Sequence, residues 1–254
     1  MPEKNFAITP LGIFAPYPPK GGNCPGYLLK ISEKFYLLDC GNGSISQLQK
    51  FIPIEWLDAV FISHHHSDHV ADLGALRHAW KDLNRFGNVK HPLPVFTPPE
   101  PMDVIAKLRE KESFDLNFLE EGKDLDWDQV TVSVMRTAHH MQCMALRFEY
   151  QGKRFIYSGD TQFYPGAEQL IEFAKGADFF LLEGGYPDFQ KKIIDPDCRH
   201  LSAGEAVELA EKANAKQLLI THLHPLSKKD EFSHDLASDV TRAALAQEGT
   251  TYLI

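Results

Sequence analysis

The chain has 254 residues, 43% of them hydrophobic and 24% charged, with a formal net charge of −9 and a pI near 5.7. That balance excludes disordered, collagen-like and coiled-coil chains and argues against a large basic groove for nucleic-acid phosphates. A chain of this length buries enough core to fold without a disulfide or a structural metal, so any metal it binds is expected to do chemistry.

The opening MPEKNFAITPLGIF has no apolar run behind a basic one, so no signal peptide is expected. Phe14–Pro25 is rich in Pro and Gly and reads as a loop. Apolar runs that end in small or polar residues predict strands at Phe35–Leu38 and Leu57–Ile62. A helix is expected to follow Ser67 and run through Leu73, Leu76 and Trp80, and another to run from Met102 to about Arg109. Further strands are expected at Phe155–Tyr157, Phe179–Leu182 and Gln217–Ile220, and a long polar loop at Gly184–Arg199. Ser202 with Glu205 three residues later forms a capping box before AVELAEKA, and a last helix is predicted over Leu236–Glu248, stopped by Gly249. Strands interleaved with helices make a layered α/β protein, read as one domain over 1–254. No run approaches the roughly 18 apolar residues of a membrane span. Cys24, Cys40, Cys143 and Cys198 form no CxxC pair, which suits the reduced thiols of a soluble, cytoplasmic protein.

The chain echoes itself. LLKISEKFYLLDCGNG (28–43) reads like ALRFEYQGKRFIYSGDTQ (145–162), and LDAVFISH (57–64) reads like KQLLITH (216–222). The echo points to a duplicated unit whose strand ends deliver ligands to one edge.

Ser63-His64-His65-His66-Ser67-Asp68-His69 carries the strongest chemical signal. Alternate residues of an extended segment point the same way, so His64 and His66 can clasp one ion while His65 faces away. The turn into a helix carries Asp68 and His69 toward a second position. Imidazole and carboxylate without thiolate suit Zn, Mn or Fe.

This H-x-H-x-D-H order resembles the ligand motif of the metallo-β-lactamase superfamily. Thr137-Ala138-His139 is similar to its third histidine, Ser158-Gly159-Asp160 to its bridging carboxylate, Thr221-His222 to its last histidine and Asp39-Cys40-Gly41 to its buried aspartate motif. The resemblance runs from about residue 24 to 224 and implies a four-layer αββα sandwich of two similar halves. It also implies two divalent ions, zinc first with manganese or iron as alternatives. His64, His66 and His139 would hold one, Asp68, His69 and His222 the other, with Asp160 between them and Asp68 directing a bridging hydroxide.

Within the superfamily the details resemble ribonuclease Z and its smaller phosphodiesterase relatives. Arg199-His200-Leu201-Ser202 is similar to their extra histidine motif, which implies that His200 is a catalytic residue donating a proton or a hydrogen bond to the leaving oxygen. Only twenty residues separate His139 from Asp160, where ribonuclease Z enzymes carry a long tRNA-binding arm. The expected substrate is therefore a small or cyclic phosphodiester. A tRNA 3′-processing endonuclease, a lactonase or thioesterase, or a non-catalytic metal-binding protein stand as alternatives, and a homodimer is left open.

Local alternatives stand beside these assignments. His140 competes with His139, and His224 with His222. Asp160 also suits a turn and His200 a helix cap, while Glu183 is a candidate partner for a ligand imidazole. His78, His91 and His234 have no motif around them and read as surface or core residues.

Overall fold

The computed structural model describes residues 5–109, 112–127, 129–194 and 199–254. Residues 195–198 of the expected 184–199 loop, Cys198 among them, lie outside the described residues. The strands, in chain order, are β1 (Phe6–Gly12), β2 (Gly26–Ile31), β3 (Lys34–Leu38), β4 (Ala59–Phe61), β5 (Leu93–Thr97), β6 (Phe114–Phe118), β7 (Leu125–Trp127), β8 (Val130–Arg136), β9 (Met144–Tyr150), β10 (Lys153–Tyr157), β11 (Phe179–Glu183), β12 (Gln217–Thr221), β13 (Arg242–Leu245) and β14 (Tyr252–Leu253). The helices are α1 (Ser44–Leu48), α2 (Ser67–Val70), α3 (Leu73–Arg85), α4 (Met102–Leu108), α5 (Ala167–Phe173), α6 (Asp188–Ile194) and α7 (Ala203–Lys212). Mixed sheets with helices give the α/β class expected from the sequence. Among the described residues no helix is long and apolar enough to cross a membrane.

The chain forms two compact units, one of residues up to Ile13, Tyr17–Leu119 and Gln247–Leu253, the other of Phe14–Pro16, Glu120–Ala246 and Ile254. Each holds a seven-stranded sheet, ordered β14-β1-β2-β3-β4-β5-β6 in the first and β7-β8-β9-β10-β11-β12-β13 in the second. Read in that order, both sheets make three antiparallel pairings and then three parallel ones. The duplication expected from the sequence is therefore a duplication of topology.

Segments 28–43 and 145–162 do correspond, as β2–β3 and β9–β10. The second echo is offset by one strand: β4, which precedes His64, corresponds to β11, whereas β12, which precedes His222, corresponds to β5. Apolar strands ending in a hydroxyl residue look alike in sequence, and pairing distinguishes them. The ladder also shifts the first echo at its end. Asp39 N–H donates to Phe61 O and Ser158 N–H to Leu181 O, so Ser158, two residues before Asp160, occupies the place of Asp39.

The strand beginnings of both units share a clamp. Asp58 donates its N–H to Phe35 O and accepts Phe35 N–H and Lys34 Nζ, each at 2.9 Å. Asp178 donates to Arg154 O, accepts Arg154 N–H at 2.9 Å and pairs with Lys216 at 2.8 Å and Lys153 at 3.6 Å.

In the first unit α3 buries Leu73, Leu76 and Trp80 against a core that includes Leu37, Val60 and Val95. The two leucines stabilise by about 2 kcal/mol each. The single helix expected after Ser67 is broken into α2 and α3, because Asp72 sends its N–H to Cys40 O and accepts Ile45 N–H on its carboxylate at 3.1 Å. Helix α7 opens with the expected capping box of Ser202 and Glu205.

Two further expectations fail. Leu236–Glu248 is not a helix: residues 242–245 form β13, which pairs in parallel with the edge of β12 through Gln217↔Arg242 to Ile220↔Leu245. An available sheet edge overrides the helix propensity of Arg, Ala and Leu here. The expected loop 184–199 contains α6, anchored where Asp188 N–H reaches the Asp235 carboxylate at 2.9 Å.

Candidate metal centre

In the first unit the candidate ligands sit where β4 ends. Asp39, at the end of neighbouring β3, is fully buried and has φ 54°, a left-handed conformation that Asp tolerates. Its carboxylate accepts Ser63 N–H, Ser63 Oγ–H and His69 Nδ1–H, each at 2.7 Å. With Nδ1–H held there, His69 presents Nε2, which lies 3.6 Å from Asp68 Oδ2. His66 caps α2 in an extended conformation, and its Nδ1 lies 2.9 Å from His64 Nε2. His65 does face away, with Nε2 2.6 Å from Thr97 Oγ1; burial and the neighbouring His64 pull its pKa down to about 4.

The Asp39–Gly41 turn packs directly on α2. A Cβ on Gly41 would run into the carbonyl oxygen of Asp68 and come 2.7 Å from Pro25 O. Only glycine lets that turn and the ligand-bearing helix approach so closely.

In the second unit the candidates come from separate strand ends. His139 follows β8 and its Nε2 lies 3.9 Å from Asp160 Oδ2, while His140 is exposed. His222 follows β12 with φ 62°, and its Nε2 lies 3.2 Å from Asp160 Oδ1. His224 instead stacks on Tyr186 at 5.0 Å. Asp160 itself is held by its main chain: Thr137 Oγ1–H donates to its carbonyl at 2.6 Å, and its N–H donates to Cys143 Sγ at 3.3 Å. A Cβ on Gly185 would run into His222 O, so this unit too has a glycine pressed onto a candidate ligand.

Asp160, His200 and His222 each bring a ligand-type atom within 4.8 Å of the others. His200 stacks on His222 at 4.9 Å, and its Nδ1 faces both oxygens of Glu183 at 3.1 and 3.2 Å. Glu183 also accepts Leu201 N–H and Thr161 N–H. Burial pulls the His200 pKa down, but the charge and hydrogen bond of Glu183, with Asp160 behind it, outweigh that and raise it. Glu183 is thus the partner of His200. The residues sequence reasoning missed are Ser63, Thr137 and Cys143; the hydroxyl ahead of His64 was a visible signal for the first. His78, His91 and His234 are exposed, as expected for residues outside the motifs.

The donor chemistry fits a borderline divalent cation. Bonds of about 2.0–2.1 Å in a tetrahedral sphere place neighbouring donors roughly 3.3 Å apart. The separations within the two units, 2.9 and 3.6 Å in the first and 3.2 and 3.9 Å in the second, bracket that edge.

Comparison with known proteins agrees with this chemistry. A family described as a beta-lactamase superfamily domain matches residues 35–223. The probable metallo-hydrolase YhfI of Bacillus subtilis (strain 168) is 29% identical over 216 residues, covering 85% of this chain and 86% of the relative. Its crystal structure matches with a TM-score of 0.90 and 26% identity over 97% of this chain and 98% of that one. A ribonuclease Z of Mycobacterium bovis (strain BCG / Pasteur 1173P2) is 28% identical over 245 residues, covering 86% of each. A diphosphatase of the PhnP family, at 18% identity and a TM-score of 0.78 over 98% of each chain, shares the fold. A match across so much of the sequence, joined to a fold shared over 97% of the chain, means that the chain belongs to the metallo-β-lactamase superfamily, among its metallo-hydrolases.

Proposed function

We propose that the protein is a dinuclear metal-dependent phosphodiesterase acting on small or cyclic phosphodiesters, with 1–254 working as one domain. In this reading His64, His66 and His139 hold one divalent ion, Asp68, His69 and His222 hold a second, and Asp160 serves both. The donor set suits zinc first, with manganese or iron as alternatives. When bound, the ions supply Lewis-acid charge and bring the pKa of a water molecule toward neutrality.

The chain's own residues do the rest. Asp68 accepts a hydrogen bond from the attacking water and fixes its direction. Glu183, acceptor only, keeps the Nδ1–H of His200 turned toward itself. Nε2 of His200 is then the atom that delivers a proton to the departing oxygen. An alkoxide leaving phosphorus needs that proton, and the His200–Glu183 pair beside Asp160 is the observation that carries the phosphodiester reading. The segment between His139 and Asp160 is the plain hairpin of β9 and β10, which supports a small substrate over precursor tRNA.

The test is metal analysis combined with a substrate panel. Purified after metal-replete growth, the protein is expected to hold about two equivalents of transition metal and to hydrolyse bis(p-nitrophenyl) phosphate. Metal content near zero overturns the reading. Faster turnover of lactones or thioesters moves the assignment to carbonyl esters, and accurate 3′ trimming of precursor tRNA moves it to tRNA processing.

A further inference from the structure

We propose that Ser63 is a positioning residue that decides which ring nitrogen of His64 is available to a cation, through a proton chain that starts at Asp39. The inference rests on the two-ion reading for its consequence, but the proton chain follows from the hydrogen-bond geometry alone.

Ser63, His64 and Asp39 are all fully buried, so water does not compete for their hydrogen bonds. A carboxylate can only accept, and a serine hydroxyl has one proton to give. Ser63 Oγ lies 2.7 Å from Asp39 Oδ2, so its proton goes there. Toward His64 Nδ1, 3.0 Å away, the same oxygen can then only accept. Nδ1 must therefore carry the ring proton, which leaves the lone pair on Nε2. Nε2 is the atom 2.9 Å from His66 Nδ1, where the first ion is placed in the reading above. The Ser63 N–H also donates to Asp39 Oδ1 at 2.7 Å, which fixes the Ser63 main chain against the same carboxylate.

One carboxylate thus orients two candidate ligands, His69 directly and His64 through Ser63. The second unit has a carboxylate and a hydroxyl at the same ladder positions, exchanged. Ser158 occupies the place of Asp39 and Glu183 that of Ser63. There Ser158 Oγ–H donates to Gly159 O at 2.6 Å and accepts Glu183 N–H at 3.1 Å, and Glu183 meets its histidine directly. At these ladder positions the hydroxyl relay is the first unit's arrangement.

The experiment uses the full chain with Ser63→Ala, Ser63→Thr and, as a control, Ser113→Ala. Ser113 is equally buried, and its hydroxyl has no hydrogen-bond partner among the described residues. Two quantities are read: zinc affinity by chelator competition, and the His64 tautomer by nitrogen NMR of the metal-free protein. Ser63→Ala is expected to weaken zinc binding about 10–100-fold and to leave His64 in mixed tautomers. Ser63→Thr should return to within about three-fold of the parent, and Ser113→Ala should match it. Should Ser63→Ala fail to fold, Ser63→Cys keeps the volume with a weaker acceptor and is expected to move both readouts the same way. Wild-type zinc affinity in Ser63→Ala, no recovery in Ser63→Thr, or a parent His64 protonated at Nε2 would each overturn the assignment. If the parent takes up no zinc, the two-ion reading falls, and the tautomer alone judges Ser63.

Discussion

At the beginnings of their parallel strands the two units are alike, and at the ends they differ. Asp58 and Asp178 clamp the preceding hairpin strand through the same pair of backbone hydrogen bonds and a lysine. At the other edge Asp39 with Ser63 in the first unit corresponds in ladder position to Ser158 with Glu183 in the second, carboxylate and hydroxyl having changed places. In open α/β sheets ligands gather at the carboxyl ends of the strands. The edge that holds a hairpin has one solution, while the edge where the candidate site lies has two. The first unit spends its carboxylate on orienting candidate metal ligands; the second spends it on a histidine suited to move a proton.

That division gives unequal expectations for breaking each edge. The largest effect is expected from His200→Ala: turnover of a phosphodiester with a poor leaving group should fall about 10²–10⁴-fold while metal content persists. The loss on bis(p-nitrophenyl) phosphate should be smaller, because p-nitrophenolate departs without a proton. Glu183→Gln should act in the same direction and also shift the pH profile. A general acid works only while protonated, so activity is lost as pH rises through the His200 pKa. Without the Glu183 charge that pKa falls, and the alkaline limb should move to lower pH.

In the first unit, Asp39→Ala removes an acceptor from three buried donors and should cost about 3–5 kcal/mol in urea unfolding. It should lower the metal content as well, the opposite signature from His200→Ala. Next come the glycines. Gly41→Ala and Gly185→Ala should each cost about 1–3 kcal/mol, with Gly41→Ala displacing Asp68 and Gly185→Ala displacing His222. Metal titration of the two variants would show whether the displaced ligand weakens binding in each case.

The smallest effect lies at the shared clamp. Asp178→Asn should cost about 1–2 kcal/mol at pH 7. Burial pushes the Asp178 pKa up, but its bonds to Lys216 and to Arg154 N–H outweigh this and leave it below the ordinary value of 3.8. Its contribution is therefore present above that value and lost as pH falls through the lower, folded one. Urea midpoints of parent and variant should converge in strong acid.

What the sequence made legible follows the same line. The segment Ser63–His69 could be read because its ligands are contiguous and their spacing is tied to a strand end and a helix start. The capping box of α7 was equally local. His139, Asp160, His200 and His222 lie on four separated strand or loop ends, and a resemblance to a known motif order, not spacing, pointed to them. The hold of Glu183 on His200 and of Asp39 on Ser63 spans 17 and 24 residues, beyond any local pattern. The helix expected over Leu236–Glu248 failed for a related reason, since the edge of β12 that claims residues 242–245 is invisible from within that segment.

The first sheet is closed by the last strand of the chain. Ala7↔Leu253 and Ile8↔Tyr252 pair β1 with β14, and Gly249 N–H reaches Pro10 O. A ribosome releases β1 more than 200 residues before β14, so until then the strand Phe6–Gly12, buried at every position in the finished molecule, has β2 on one side and an unzipped border on the other. The closing residues thus act as a stopper: a nascent or truncated chain lacking them offers β1 to other chains as a template for intermolecular pairing.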